Sequence, residues 1–160
     1  MLAVIFRGSF VKAALLAQDP KSPEAEMLLL GTAAQESSLR DAQQIGGGPA
    51  LGYFQMEPAT HDDCWSNYIN ARPPLKAKMM AARIASDPPR AIEMVTGHQY
   101  DAAMDRMRYM RVSAPIPTAP RDIAAYWKLH YNTPLGAGSA AEFIANWNRH
   151  LAPDLYPPVT

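Results

Sequence analysis

The chain has 160 residues, of which 48% are hydrophobic, so it is the size of one ordinary domain and can bury a core without disulfides. Lys plus Arg and Asp plus Glu number 15 each, so no global field favours nucleic acid or an anionic membrane surface. A single cysteine, Cys64, excludes an internal disulfide framework. We therefore expect a single domain over residues 1–160, with no nucleic-acid partner.

The apolar N-terminal stretch predicts a helix of the fold. It begins Met1-Leu2-Ala3-Val4-Ile5-Phe6 and is interrupted by Arg7 and Lys12. A secretory signal would carry its charge before the apolar run and a small-residue cleavage site after it. No run approaches the roughly 18 apolar residues that a membrane span needs. We therefore expect no signal peptide and no integral membrane segment.

The next segments predict a helix, a loop and a short turn. Ser22-Pro23 is typical of a helix start, with proline at the first helical position, and the apolar helix that follows extends to Glu36. Gly46-Gly47-Gly48-Pro49 cannot continue a helix and predicts a loop. Tyr53-Phe54-Gln55-Met56 is short and predicts a strand or an extended turn. We expect this loop to line a site.

Two helices are expected in the middle of the chain, over 75–85 and over 101–112. Methionines recur on one face of the second helix, at Met104, Met107 and Met110. Such a stripe is typical of core packing, with a cofactor-binding face as the rarer alternative. Arginines also recur in this helix, at Arg106, Arg108 and Arg111. They predict a solvated helix face, with a basic patch as the alternative.

The C-terminal part again predicts helices separated by proline. Residues 114–120 are rich in proline and predict a stiff, extended connector. A helix is expected over 121–131, and Ser139 with Glu142 forms a capping box for a last helix. The fold class predicted from the whole chain is mainly α, with at most a small β element.

Four short motifs follow one another along the chain: Glu36-Ser37, Gly52-Tyr53-Phe54-Gln55, Pro58-Ala59-Thr60 and Tyr131-Asn132. This ordered set resembles the soluble lytic transglycosylase and goose-type lysozyme superfamily, whose usual pattern is Glu-Ser, Gly-Leu-Met-Gln, a Pro and a Thr, and then Tyr-Asn. Phe54 replaces the usual Met, and Thr133-Pro134 replaces the usual Ala-Gly. The resemblance implies a lysozyme-like domain with a substrate groove between its helical parts.

Glu36 is the candidate catalytic residue. Cleavage of a glycosidic bond needs a carboxyl that stays protonated near neutral pH, which a partly apolar setting achieves. Hydrolysis usually needs a second carboxylate, but none of Asp41, Glu57, Asp62 and Asp63 sits where the family pattern marks a partner. The resemblance implies a lytic transglycosylase in which Glu36 acts as acid and then as base. A hydrolytic muramidase of endolysin type, or a non-catalytic glycan-binding or virion module, is the alternative.

The resemblance also implies substrate-binding residues. Gln55 is expected to bond the sugar or its acetamido group, and Tyr131, followed by Asn132, is expected to bond and orient Glu36. Ser37 is expected to support the turn. Tyr53 and Phe54, with Trp65 as a third candidate, offer flat faces for sugar rings. The alternatives are a turn-capping Gln55, a local bonding role for Ser38, and core positions for the aromatic residues.

The expected partner is the peptidoglycan glycan strand. His61, Asp62 and Asp63 precede Cys64, but nothing else pairs with them at a recognised metal-ligand spacing, so no metal and no cofactor is predicted. The resemblance implies action at the bacterial cell wall or periplasm. Without a signal peptide, we expect delivery by a bacteriophage, association with a virion, or release by a holin. No oligomeric state is predicted.

Overall fold

The computed structural model describes residues 2–18, 22–40, 42 and 47–160, with no side-chain description for 16–18. Its α-helices are α1 (Leu2–Phe6), α2 (Ala13–Gln18), α3 (Pro23–Ser37), α4 (Pro58–Cys64), α5 (Pro73–Ala82), α6 (His98–Met110), α7 (Pro120–Trp127) and α8 (Ala140–His150). Segments of π-helix cover Arg7–Lys12, Trp65–Ile69 and Lys128–Asn132, and a 3₁₀ helix covers Ala91–Val95. The mainly-α prediction is confirmed.

The single β feature of the described residues is an antiparallel bridge between Leu51 and Met56. It closes a tight turn through Gly52 and Gln55 rather than forming a strand, so the extended-turn alternative is the observed one. The N-terminal apolar segment is helical as predicted, and Phe6 and Val11 enter the core. The 3₁₀ helix at Ala91–Val95 was not predicted.

Helix α3 is the central helix of the fold. Ser22 caps it by accepting a hydrogen bond from the Ala25 backbone N–H at 3.2 Å, and Pro23 occupies the first turn. Every residue from Leu28 to Ala34 is buried, because α6, α7 and α8 all pack against this helix. At Gly31 a methyl group would collide with the Phe143 ring of α8. The close approach of α3 and α8 therefore requires glycine at this position.

The core is one continuous hydrophobic cluster that extends from α1 to the end of α8, and the described residues form a single compact domain. Its largest fully buried side chains include Trp127, Trp147 and Tyr100. Across the described ranges, no helix combines the length and the apolar character that crossing a bilayer would need.

The prediction of a solvated arginine face on α6 is wrong for two of its three residues. Arg106 is buried and Arg108 is half-buried, whereas Arg111 is exposed. The reason is that α2, α3, α4 and α5 all contact α6, so the helix is enclosed on most sides. The methionine prediction is confirmed, since Met104 and Met107 are fully buried in the core.

A buried carboxylate organises the segment that precedes α6. Glu93 lies in the 3₁₀ helix and accepts backbone hydrogen bonds from Ile84 at 2.8 Å, Ala85 and Ser86 at 3.1 Å, and Arg90 at 3.3 Å. Burial alone would raise the pKa of Glu93, but these bonds outweigh it and lower the pKa to about 2. The ionised form is therefore the one that holds residues 83–90 in place.

Replacing Glu93 with Gln should destabilise the fold by on the order of 2 kcal/mol at pH 7. Because the folded pKa is about 2 and the ordinary value is 4.5, the stabilisation is present above pH 4.5 and is lost as pH falls toward 2. Urea unfolding at pH 7 and pH 3 measures this, with the exposed Glu57→Gln as the matched control. A Glu93→Gln penalty that is as large at pH 3 as at pH 7 would contradict the expected linkage.

Candidate active site

Glu36 is the penultimate residue of α3 and is half-buried. The helix ends because Ser38 adopts a left-handed conformation, with φ 54°, and its N–H bonds the Ala34 carbonyl at 3.2 Å. Ser37 is buried and its Oγ donates to the Ala33 carbonyl at 3.0 Å. Both serines thus form hydrogen bonds to carbonyls of the last turns of α3. Glu36 therefore lies on a helix end that is held by these bonds.

The Glu36 carboxyl has a pKa close to physiological pH. Burial raises the pKa of Glu36 to about 7, while the nearby Trp127 indole N–H and the positive charge of Arg108 act in the opposite direction. The Trp127 N–H is buried and forms no full hydrogen bond, so its stabilisation of the carboxylate is weak. Near pH 7 the carboxyl can therefore both donate and accept a proton, as a general acid–base residue must.

Two tyrosines and an arginine, Tyr131, Tyr109 and Arg108, are coupled electrostatically to Glu36 and contact one another. The rings of Tyr131 and Tyr109 stack with centroids 5.4 Å apart, and the Arg108 guanidinium lies over the Tyr131 ring, 3.7 Å from its centroid. Arg108 also donates to the Tyr131 backbone carbonyl at 2.6 Å. These contacts hold the Arg108 guanidinium in place, so its charge opposes the effect of burial on the pKa of Glu36.

The Tyr131 hydroxyl does not bond Glu36 as we predicted. It donates instead to the Phe54 backbone carbonyl, although it remains electrostatically coupled to Glu36. The reason is that the turn at Gly52–Met56 folds against the π-helical segment Lys128–Asn132 and presents a carbonyl to the hydroxyl. Tyr131 therefore fastens this turn beside the site.

The turn is shaped by two further side chains. Gln55 has φ 51°, and its Nε2 donates to the Gly52 carbonyl at 2.7 Å, which is the turn-capping alternative. Asp101 of α6 is fully buried and accepts the Tyr53 backbone N–H at 2.7 Å. The backbone of the turn is thus held by two side chains: that of Gln55, which belongs to the turn, and that of Asp101 on α6.

The aromatic residues of the turn lie in the core or against it. Phe54 is fully buried, so its ring cannot stack on a sugar as predicted, and only its carbonyl takes part in the site. Trp65 is also buried, with its N–H donated to the Tyr100 hydroxyl at 2.9 Å. Tyr53 is half-buried and packs edge-on against Phe6 at 5.0 Å between centroids. Of the three, Tyr53 alone is partly exposed.

Asn132 organises the loop that follows it. Its Oδ1 accepts a hydrogen bond from Lys128 Nζ at 2.7 Å, and the same Nζ donates to the Gly136 carbonyl at 2.8 Å. The glycines at Gly136 and Gly138 leave no room for a methyl group against the Asn132 side chain and its surroundings. Asn132 is half-buried and supports the loop at 133–138, so any contact with a substrate would be additional to this role.

Backbone strain is concentrated around these residues. Within the described ranges, the non-glycine residues with positive φ are Ser38, Leu39, Gln55 and Thr133. Each lies in or directly beside one of the predicted motifs, at the end of α3, in the turn, or after Asn132. Left-handed backbone in non-glycine residues costs on the order of 1–3 kcal/mol and is often retained at functional sites. This clustering favours a functional role for the region.

Sequence reasoning missed the contribution of α6 to the site. Asp101, Asp105, Arg108 and Tyr109 recur at the i, i+4, i+7, i+8 spacing and share one face. Asp101 bonds the turn, while Asp105 and Arg108 are coupled electrostatically to Glu36. The sequence did carry a signal for this contribution, because these polar residues recur at helical spacing. They lie next to the methionines that we interpreted as the packed face of the helix.

The four acidic residues considered as partners of Glu36 do not join it in the described part of the chain. Asp41 lies outside the described residues. Glu57 is exposed, Asp62 bonds the His61 ring at 2.8 Å, and Asp63 pairs with Arg111. The carboxyl that is coupled to Glu36 is Asp105, which is fully buried and cannot reach a solvent-borne nucleophile.

Replacing Gly52 with Ala should unfold or loosen the turn. Gly52 has φ 74°, and a methyl group there would collide with the Asp101 carboxylate. Gly47→Ala is the matched control, because Gly47 has φ 80° but nothing within 4 Å of the added atom. We expect the free energy of unfolding, measured by chemical denaturation, to fall by at least about 2 kcal/mol more in Gly52→Ala than in the control. Equal losses would show that the Asp101 contact is unimportant.

The site thus combines a half-buried carboxyl with a pKa near neutrality, one fixed cation and a rigid turn, all on scaffold elements of a helical domain. Such a site is suited to proton transfer to and from a bound ligand. The chain matches no protein-family model and has no match among curated proteins or solved structures, so the geometry of this site and its motifs are what any functional assignment must rest on.

Proposed function

We propose that the protein is a peptidoglycan lytic transglycosylase that cleaves the β-1,4 bond between N-acetylmuramic acid and N-acetylglucosamine in bacterial cell walls. The observation that carries the proposal is the Glu36 carboxyl, half-buried at the end of α3 with its pKa raised to about 7. The order of the motifs from Glu36 to Asn132 supports the choice of substrate class by resemblance alone.

In the proposed reaction the protonated Glu36 donates its proton to the glycosidic oxygen as the bond to the muramic acid C1 breaks, assisted by the substrate's acetamido group. The resulting Glu36 carboxylate then removes the proton from the 6-hydroxyl of the muramic acid. The O6 atom forms a bond to C1, which closes a 1,6-anhydro ring and returns Glu36 to its protonated form. A pKa near 7 suits a group that must perform both transfers.

Among the described residues, Glu36 is the one partly exposed carboxyl found in this site, which favours this route over hydrolysis. Hydrolytic glycosidases generally use a second carboxylate, as nucleophile or as base for water. In the part of the chain that the structure describes, Asp105 is the carboxyl coupled to Glu36, and it lies in the core. Arg108 supplies a fixed positive charge that stabilises the Glu36 carboxylate between the two steps.

Mass spectrometry of the soluble products from purified peptidoglycan tests the proposal. The expected products carry 1,6-anhydromuramic ends. Products with reducing muramic ends would identify a hydrolytic muramidase and overturn the transglycosylase assignment. If glycan strands bind but no product forms, the protein is a binding or virion module instead.

A further inference from the structure

A cavity of about 370 Å³ is built from parts of the fold that do not contribute to the site at Glu36. It lies between α4 with the π-helical segment that follows it, α5, and residues 87–89. Its volume is within the range of small-molecule sites in proteins, about 300–1,000 Å³. None of the residues that line it is among those that shift the pKa of Glu36.

The first wall of the cavity is held by a buried hydrogen-bond network. His61 Nδ1 lies 2.8 Å from Asp62 Oδ1, and His61 Nε2 lies 2.7 Å from the Tyr100 hydroxyl, which also accepts the Trp65 N–H at 2.9 Å. Because a carboxylate can only accept, Nδ1 carries the ring proton and Nε2 accepts the Tyr100 proton. The buried pair His61 and Tyr100 therefore fixes Asp62 and Trp65, both of which line the cavity.

The other two walls also belong to fixed elements. Asp87 lies in the segment 83–90, whose backbone N–H groups are bound by the Glu93 carboxylate. Lys76 is on α5, which packs against α6 and against the π-helical segment Trp65–Ile69. The cavity is therefore preformed, so little ordering of its walls is needed when a ligand binds.

The charged groups of the cavity are available to a ligand. Asp62 and Asp87 contribute two carboxylates from two different walls, and Lys76 contributes one ammonium from the third. Neither Lys76 nor Asp87 forms an ion pair with another described residue, and Asp62 Oδ2 has no hydrogen-bond partner among them. The cavity thus offers two anionic acceptors and one cationic donor.

Apolar side chains complete the lining. Trp65 and Pro89 are buried and Met80 is half-buried. Trp65 is only 7% exposed, which leaves too little of its ring for stacking on a sugar. The excess of carboxylates favours a ligand with a positive charge, and Lys76 provides a second anchor for a negative one.

We propose that this cavity binds a small zwitterionic ligand of the dipeptide type. Asp62 and Asp87 accept hydrogen bonds from its ammonium group, Lys76 donates to its carboxylate, and Trp65 with Met80 contacts its apolar part. His61 and Tyr100 are positioning residues, because they hold Asp62 and Trp65 without lying in the contact themselves. The proposal is independent of the proposed function, since none of these residues acts in the reaction at Glu36.

Titration of the full chain with the dipeptide leucylglycine at pH 6, followed by ¹⁵N–¹H NMR, tests the proposal. At this pH the dipeptide carries both charges. The backbone amides of Ser66, Asn70 and Lys76 should shift in one saturable process, because they belong to the walls of the cavity. The absence of a saturable shift there would overturn the proposal. So would saturation by N-acetylglucosamine but not by the dipeptide, which would identify a saccharide site.

Removing one charge at a time identifies the contacts. N-acetyl-leucylglycine lacks the ammonium and leucylglycine amide lacks the carboxylate, so each should bind at least about fivefold more weakly than the free dipeptide. Asp87→Asn should weaken binding of leucylglycine by a similar factor. Asp122→Asn, an exposed aspartate on the first turn of α7, is the matched control and should bind like the wild type. Equal affinity for the acetylated and the free dipeptide would overturn the proposal. Neither measurement uses glycan cleavage, so its outcome does not depend on the role of Glu36.

Discussion

Glu36→Gln should reduce peptidoglycan cleavage by about 10²–10⁴-fold, because the amide has the shape of the carboxyl but cannot transfer a proton. The residue is half-buried, and the nearby Trp127 indole N–H is not in hydrogen-bond geometry, so an amide in place of the carboxyl would break no formed bond to it. The variant should therefore fold normally and still bind glycan strands. Release of soluble muropeptides from purified cell walls, measured beside the wild type, gives the rate.

A stability measurement separates loss of chemistry from loss of fold in this variant. Because burial raises the folded pKa of Glu36 from 4.5 to about 7, ionisation of Glu36 weakens the fold as pH rises through this range. Glu36→Gln should therefore be more stable than the wild type at pH 8, with the difference shrinking toward pH 4.5. The exposed Glu57→Gln should change neither activity nor stability. Full cleavage by Glu36→Gln would remove Glu36 from the mechanism.

Activity should also fall steeply on the alkaline side of neutrality. Glu36 must be protonated to donate to the glycosidic oxygen, and its pKa of about 7 means that the protonated fraction falls about tenfold for each pH unit above this value. The expected result is a loss of about 50-fold between pH 7 and pH 9 in the rate at low substrate, because half of the carboxyl is protonated at pH 7 and about one hundredth at pH 9. Initial rates of muropeptide release across pH 5–9 measure the profile.

Arg108 variants test whether ionisation of Glu36 causes this loss of activity at alkaline pH, which forms the alkaline limb of the pH profile. The positive charge of Arg108 lowers the pKa of Glu36, so Arg108→Gln should raise that pKa and move the limb to higher pH. Arg108→Lys keeps the charge and is the matched control, since both variants lose the guanidinium contact with the Tyr131 ring. A limb that moves equally in both variants would mean that packing, rather than charge, determines its position.

Local features of the fold could be predicted because neighbouring residues encode them. Ser22 caps α3, Ser139 and Glu142 form the predicted capping box on α8, and the glycine-bearing segment before Met56 forms a turn. These elements depend on hydrogen bonds and backbone preferences of residues that are close together in the sequence. The same is true of the position of Glu36 near a helix end.

The chemistry of the site depended on contacts between residues far apart in the chain. The Tyr131 hydroxyl bonds a carbonyl 77 positions away, and Asp101 bonds a backbone N–H 48 positions away. No local pattern specifies such partners, which is why Tyr131 was assigned to Glu36 and Phe54 to the substrate.

By itself, the sequence determined most of the α-helices, the caps of α3 and α8 and the order of the motifs, because these follow from hydrogen bonds and side-chain patterns within a few residues. Only the tertiary structure decided which face of α6 lies toward Glu36, and therefore that Asp105 and Arg108 are coupled to it electrostatically. It also decided the pKa of Glu36, because desolvation depends on what the assembled core places around the carboxyl and not on its neighbours in the chain.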